Sequence, residues 1–192
     1  MGFDFQDFAG RYLEDLQRTL EELSRDDLES LYNEVVSAIS RDATIHFVGN
    51  GGSAATPSHS AGDWSKELRV RTISHVDNVA SLTAFANDVS YEDVFVGQLT
   101  TFLRDEDLVI GFSGSGTSEN VVRALEFARD RSCRTAAITG DYRGGAGGKL
   151  PSMVDVCLVV PSHSMERIED LQLIVNHIIK EAVKSSGQVR NG

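Results

Sequence analysis

The chain has 192 residues, enough for one domain with a sizeable hydrophobic core. Hydrophobic residues make up 41% and charged residues 24%, ordinary for a globular protein, while the formal net charge of −11 argues against nucleic acid or an anionic membrane as the main partner, since both need a basic footprint. The start, Met1-Gly2-Phe3-Asp4, does not read as a secretory signal, no stretch approaches a membrane span, and Cys133 and Cys157 read as buried free thiols, so the expected location is the cytoplasm.

Phe5, Phe8, Tyr12, Leu13, Leu16, Leu20 and Leu23 recur at steps of three and four, which predicts an amphipathic helix over residues 3–23. Ser24-Arg25-Asp26-Asp27 interrupts it and offers a new cap. Leu28, Leu31, Val35, Val36 and Ile39 then carry a second helix over 26–40. Residues 1–42 are thus a helical pair, of the kind that often packs between subunits. From residue 44 the rhythm becomes strand, turn, helix. Strands are expected at 44–48, 79–82, 108–112, 135–139 and 155–160, and helices at 53–67, 91–103, 117–131 and 165–185. Short apolar strands alternating with helices imply an α/β three-layer sandwich, with a parallel sheet of about five strands covered on both faces, over residues 43–185. Asp141–Leu150 reads as a glycine-rich loop and 186–192 as a frayed tail. No repeat, linker or second domain interrupts the chain, so it reads as a single domain.

Sites in such sheets lie at the carboxyl ends of the strands. Two polar turns fall there. Gly49-Asn50-Gly51-Gly52-Ser53-Ala54 follows the first strand, and its glycines let bare backbone N–H groups approach an anion; Ser53 is the expected N-cap of the next helix. Ser113-Gly114-Ser115-Gly116-Thr117-Ser118 follows the third strand and offers four hydroxyls just before a helix. Such a turn can hold a phosphate without a single cation, which suits an acidic protein. One such turn is common in any α/β protein; two in one sheet point to a shared phosphate ester site.

His59, Asp63 and Glu67 follow the first turn at intervals of four. At about 100° per residue they lie on one helix face, where they can bind a divalent metal or supply a base. Glu169 and His177, on the last helix, are eight residues apart and can join them only if that helix crosses the site. Asn87-Asp88 reads as a polar gap after Phe85-Ala86, either a capping turn or a contact to sugar hydroxyls. His46, in the first strand, reads as structural; His75 and His163 have no nameable partner.

Together these residues resemble the sugar isomerase (SIS) domain family, and within it the phosphoheptose isomerases. The resemblance rests on GNGGSA at Gly49–Ala54, His59 six residues after Ser53, AND at Ala86–Asp88, SGSGTS at Ser113–Ser118, the Thr139-Gly140 pair with its later glycines, and Arg167-Ile168 followed by His177. It spans most of the chain. It implies a flavodoxin-like fold, a homotetramer with sites between subunits, and a zinc site in several members. It places Asn50, Gly51 and Gly52 at the sugar phosphate, Ser53, Ser113, Gly114, Ser115 and Ser118 at the phosphate, and Asn87 and Asp88 on the substrate. It makes His59 a metal ligand and His177 the catalytic, metal-binding histidine. Asp63 falls where the family has its catalytic glutamate, and Glu169, a substrate and metal contact, where it has glutamine. The family's arginine is replaced by Glu67, with Lys66, Arg69 and Arg71 as nearby cations.

The resemblance implies conversion of sedoheptulose 7-phosphate to an aldose heptose 7-phosphate through an enediol. Asp63, or Glu67 one turn on, is then the base and His177 the acid, or else a metal at His59, Asp63, Glu169 and His177 polarises the carbonyl. The alternatives are another phosphorylated ketose, or a regulatory SIS protein that binds phosphosugars without turnover. The presence of His177 favours an enzyme.

Overall fold

The computed structural model describes residues 2–187; residues 188–192 of the expected tail lie outside them. Asp4 caps α1 (Phe5–Glu21) by accepting from the Gln6 and Asp7 amides, and Ser24 caps α2 (Arg25–Ser40) by accepting from the Asp27 amide. The sheet has five parallel strands: β1 (Ile45–Gly49), β2 (Thr72–Ser74), β3 (Leu108–Ser113), β4 (Arg134–Gly140) and β5 (Val156–Val160), in the order β2-β1-β3-β4-β5. Between them run α3 (Gly52–Leu68), α4 (Val79–Asp88), α5 (Val94–Phe102) and α6 (Glu119–Asp130), and α7 (Met165–Ser185) closes the fold.

The three central strands, β1, β3 and β4, are buried on both faces, so they read as near-continuous apolar runs rather than alternating ones. One face packs on α2, α3 and α7 through Leu31, Val35, Trp64, Leu171, Val175 and Ile179; the other packs on α5 and α6 through Phe95, Leu99, Val121 and Leu125. Each such side chain contributes about 1.5–3 kcal/mol on burial. Phe47 of β1 meets Trp64 of α3 edge-on, with ring centroids 5.4 Å apart, and fixes α3 on the sheet. The order reverses direction between β1 and β3, which is the switch point where ligands of such sheets bind.

Two expectations are corrected. Residues 79–82 are not a strand but the first turn of α4, whose Asn78 cap accepts from the Ser81 amide. The second strand is Thr72–Ser74, a three-residue edge strand paired to Ile45–Phe47. Four residues such as Val-Ala-Ser-Leu cannot by periodicity alone be told from a helix turn, and Thr-Ile-Ser is too short to stand out. Asn87-Asp88 is likewise not a gap but the last turn of α4, exposed, with Asn87 Nδ2 donating to Asp88 Oδ1 at 2.7 Å.

Cys133 and Cys157 are free thiols; Cys133 is buried and Cys157 half-buried, where burial pushes its thiol up to about 12. Among the described residues, no helix is long and apolar enough to cross a membrane.

Candidate active site

The end of β1 turns into α3 through Gly51, at φ +58°, a conformation that favours glycine. Gly51, not Ser53, is the N-cap, and it has no side chain to offer. Ser53 lies inside the first turn, buried. The Ala54 N–H turns back to the Gly51 carbonyl at 3.0 Å, and no side chain caps the N–H groups before it, which are left for a ligand. Ser118 stands at the N-cap of α6 and likewise makes no side-chain capping bond. Two helix N-termini thus meet at the switch point, and both favour negative charge.

Between them is a pocket of about 210 Å³ lined by Asn50, Gly51, Ser53, Ser113, Ser115, Ser118 and Glu169, with Phe112, Gly114 and Met165 completing it. Ser113 Oγ donates to Ser118 Oγ at 3.2 Å and accepts from the Gly116 amide at 3.1 Å. No lysine or arginine is among its lining residues, so hydroxyls and backbone dipoles are what it offers an anion. Asn50 lines it with its side chain already engaged. Its Nδ2 donates to Asn120 Oδ1 at 2.7 Å, and its Oδ1 accepts from Asn120 Nδ2 and from the Tyr91 hydroxyl, both at 2.9 Å. Asn50 therefore ties the β1 turn to α6. Asn120 and Tyr91 escaped the sequence reading, although Asn120 sits only two residues past the serine motif. Asn87 and Asp88 are not among the residues lining this pocket.

A second, open cleft of about 770 Å³ runs between α1, α3 and α7, lined by Tyr12, Leu16, Gly52, Thr56, His59, Glu169, Asp170, Leu173 and His177 among others. Glu169 alone lines both spaces. A Cβ at Gly52 would collide with the Glu169 carboxylate, so this glycine lets α7 bring Glu169 against the start of α3. Burial pushes the Glu169 carboxyl above its ordinary value, and Glu166 and Asp170 add to the effect.

Helix α7 does cross the site. His59 Nε2 and His177 Nε2 are 3.0 Å apart, with the rings edge-to-face, and His59 Nε2 is 3.8 Å from Asp63 Oδ2. One ligand atom from each of His59, Asp63 and His177 lies within 4.8 Å of the others, a group able to hold a metal ion. Two nitrogens about 2.0–2.1 Å from one tetrahedral zinc stand roughly 3.3 Å apart, so the donor set and spacing fit such an ion. Three of the four expected ligands converge; Glu169 is not in the cluster.

Behind the imidazoles, the Lys180 ammonium lies 2.8 Å from Asp63 Oδ2 and 3.7 Å from Glu67 Oε2. Lys180 beside Asp63 holds its carboxyl below the ordinary value against the opposing effect of burial, helped by the two imidazoles. Lys184, 3.1 Å from Glu67, holds that carboxyl down as well. The cation at this acid pair therefore comes from α7. Arg71 instead pairs with Asp42 at 2.9 Å, and Lys66 and Arg69 are exposed. Lys180 also escaped the sequence reading; its signal is a lysine three residues after His177, directly behind Ile178-Ile179.

A parallel α/β sheet with an anion pocket at its switch point and an imidazole–carboxylate cluster beside it defines a domain built for a phosphorylated ligand with a reactive end. A model of the SIS domain matches residues 10–140. The phosphoheptose isomerase of Roseiflexus sp. (strain RS-1) is 34% identical over 175 residues, covering 88% of this chain and 87% of its own length. That of Aliarcobacter butzleri (strain RM4018) is 33% identical over 183 residues, covering 93% and 90%. The solved phosphoheptose isomerase GmhA from Neisseria gonorrhoeae superposes with a TM-score of 0.87 at 26% identity, over 95% of this chain and all of that one. The chain belongs to the SIS domain family and, within it, to the phosphoheptose isomerases, which are aldose–ketose isomerases.

Proposed function

We propose that this protein works as one SIS domain that converts sedoheptulose 7-phosphate to D-glycero-D-manno-heptose 7-phosphate through an enediol. The observation that carries this reading is the pairing of a cation-free anion pocket with the His59–His177 pair in the adjoining cleft. The hydroxyls of Ser53, Ser113, Ser115 and Ser118 and the amides of the two turns anchor the phosphate, and this anchoring fixes the carbonyl end beside the imidazoles. Asn87 and Asp88, exposed at the end of α4, contact the substrate only if it or a neighbouring subunit reaches them.

In the ketose a proton leaves C1 and is returned to C2, while a second proton moves from the C1 oxygen to the C2 oxygen. His177 faces the cleft and carries the oxygen-bound proton. Asp63 lies behind the imidazoles on Lys180, while Glu67 is held a turn further off by Lys184. Asp63 is therefore the family's glutamate in position, serving as carboxylate ligand or as base. Zinc held by His59, Asp63 and His177, with Glu169 within reach of the same cleft, would polarise the carbonyl as a Lewis acid. Exposed Phe5 and Phe8 on α1 and Ile178 on α7 support a homotetramer with the open cleft at a subunit boundary. The free cysteines support a reducing, cytoplasmic setting.

The test is to incubate the purified protein with sedoheptulose 7-phosphate and follow aldose formation, with and without added zinc. Turnover is expected in the wild type, falling about 10²–10⁴-fold in His177→Ala. No wild-type turnover, or an undiminished His177→Ala, refutes the assignment. If other ketose phosphates turn over better, the chemistry stands and the sugar changes.

A further inference from the structure

Helices α3 and α7 meet along a seam whose rungs change character over two turns. His59 faces His177 with nitrogens 3.0 Å apart; Asp63 faces Lys180 at 2.8 Å; Glu67 faces Lys184 at 3.1 Å and Lys180 at 3.7 Å. Residues 59, 63 and 67 step by four along α3, and 177, 180 and 184 step by three and four along α7, so each set occupies one helix face. Lys180 is the central cation of the seam. It is buried, and among the described residues it is paired with Asp63, Glu67 and, at 3.4 Å, Glu181. A lysine is almost never buried unless it is paired, so its position is set by these carboxylates, Asp63 first.

The Asp63–Lys180 contact has an unusual feature. The two atoms are at hydrogen-bond distance, yet Asp63 Oδ2 receives no directed hydrogen bond and is buried. The contact is a close ion pair whose alignment is poor for a hydrogen bond, and a buried carboxylate oxygen normally has a donor or a cation along its lone pairs. The same Oδ2 is the atom that faces His59 at 3.8 Å. One carboxylate oxygen is thus claimed from two sides, by an ammonium behind it and by the His59–His177 cluster in front.

We infer that Lys180 is a positioning residue that acts as a built-in competitor for the metal: its ammonium holds Asp63 in place and lowers the affinity of the His59–Asp63–His177 cluster for a divalent cation. An ammonium a few ångströms from a divalent ion repels it, and it shares the one anionic oxygen the ion would use. Aspartate supplies that oxygen on a side chain one methylene shorter than glutamate, so Asp63 has little slack with which to serve both cations. The cluster therefore stays assembled without metal, and its metal is exchangeable.

This inference rests on the reading of the cluster as a metal site, and the test separates the two. Zinc affinity of the full chain is measured by competition with a fluorescent chelator, for the wild type, Lys180→Met, Lys180→Arg, Lys184→Met and the double variant Lys180→Met/His177→Ala. Lys184 lies on the same seam but pairs with Glu67 rather than Asp63. Lys180→Met is expected to bind zinc about tenfold tighter or more, while Lys180→Arg and Lys184→Met stay within about threefold of wild type and the double variant loses the gain. A purely structural role for Lys180 predicts the opposite sign, because loosening the seam would spoil the ligand geometry. Unchanged or weaker binding by Lys180→Met, in a wild type that binds zinc, overturns the inference and leaves the metal site standing. No zinc binding by any of the proteins overturns both. Thermal melting of metal-free Lys180→Met, read alongside, verifies that the folded state is the species titrated.

Discussion

At the scale of single residues, Glu169 is the side chain whose chemistry is most at odds with its surroundings. It is the one residue shared by the anion pocket and the cleft, it is half-buried, and it brings a carboxylate to a place that two helix N-termini make attractive for phosphate. Its raised carboxyl pKa has burial as the leading cause, with Glu166 and Asp170 behind it, so the group is already uncomfortable as an anion before any ligand arrives. Replacing it with glutamine keeps the shape and removes the charge. Glu169→Gln is therefore expected to bind sulfate, an anion that keeps its charge across the neutral range, about tenfold tighter than wild type by calorimetry at pH 7.5. Equal or weaker binding would show that Glu169 does not act on the anion through its charge. The role of this residue was only half legible in the sequence. Its position eight residues before His177 could be counted, but its place between two cavities depends on Gly52, whose missing Cβ lets the carboxylate in.

At the scale of elements, α1 raises the clearest question. Its apolar stripe was plain from the spacing of Phe5, Phe8, Tyr12, Leu13, Leu16 and Leu20, and the helix forms as that spacing requires. Yet Phe5 is 65% exposed and Leu13 is 63% exposed, so much of the stripe is not used within one chain. Tyr12 and Leu16 of the same helix line the cleft beside His59 and His177. An apolar face continuous with a wall of the candidate site is what a subunit boundary there requires. Light scattering on the wild type should give four copies of the 20.9 kDa chain, and Leu13→Glu should shift the mass downward and reduce turnover together. A monomeric wild type, or a dissociated variant with full activity, would refute a shared site. The substitution itself should cost an isolated chain under about 0.5 kcal/mol, because the position is exposed. The long periodic helices α1, α2 and α7 were legible to within two residues because many turns vote on one period. Residues 72–88 were not, because a three-residue strand and a capped ten-residue helix give the period too few repeats. The meeting of α3 with α7 was beyond periodicity altogether: it joins His59 to His177 across 118 positions, and only resemblance to a family anticipated it.

At the scale of the whole molecule, stability and acidity are linked through a cluster well outside the clefts. His46 Nε2 lies 3.1 Å from Asp107 Oδ2, and His46 Nδ1 lies 2.9 Å from His75 Nε2, with both imidazoles fully buried. A carboxylate only accepts, so Nε2 of His46 carries its proton and donates to Asp107. His46 Nδ1 then accepts from His75 Nε2–H, which leaves His75 Nδ1 bare and without a partner. A proton placed there would be buried, and among the described residues only the Gln98 side chain favours it. Burial, with the neighbouring His46 second, accordingly drives His75 down to about 3 from its ordinary 6.5. Asp107 is pushed up by its own burial but held below the ordinary carboxylate value overall by the bonds from His46 and from the Thr44 and Arg104 amides, so it loses its contribution only in stronger acid. Between pH 3 and 6.5 the unfolded chain binds a proton at His75 that the native chain refuses. Stability must therefore rise with pH through that window and be level in this group above it, with a slope of up to about 1.4 kcal/mol per pH unit. Guanidinium unfolding at pH 7.5, 6.0 and 5.0, at one protein concentration, reads the slope where most carboxylates are still ionised, and the comparison with a His75 variant removes the share they contribute. The wild type should lose stability from pH 6.0 to 5.0, and His75→Gln, which keeps a donor for His46 but cannot titrate, should lose distinctly less over that step. Equal slopes in the two proteins would mean that the acid sensitivity of this fold comes from elsewhere than His75.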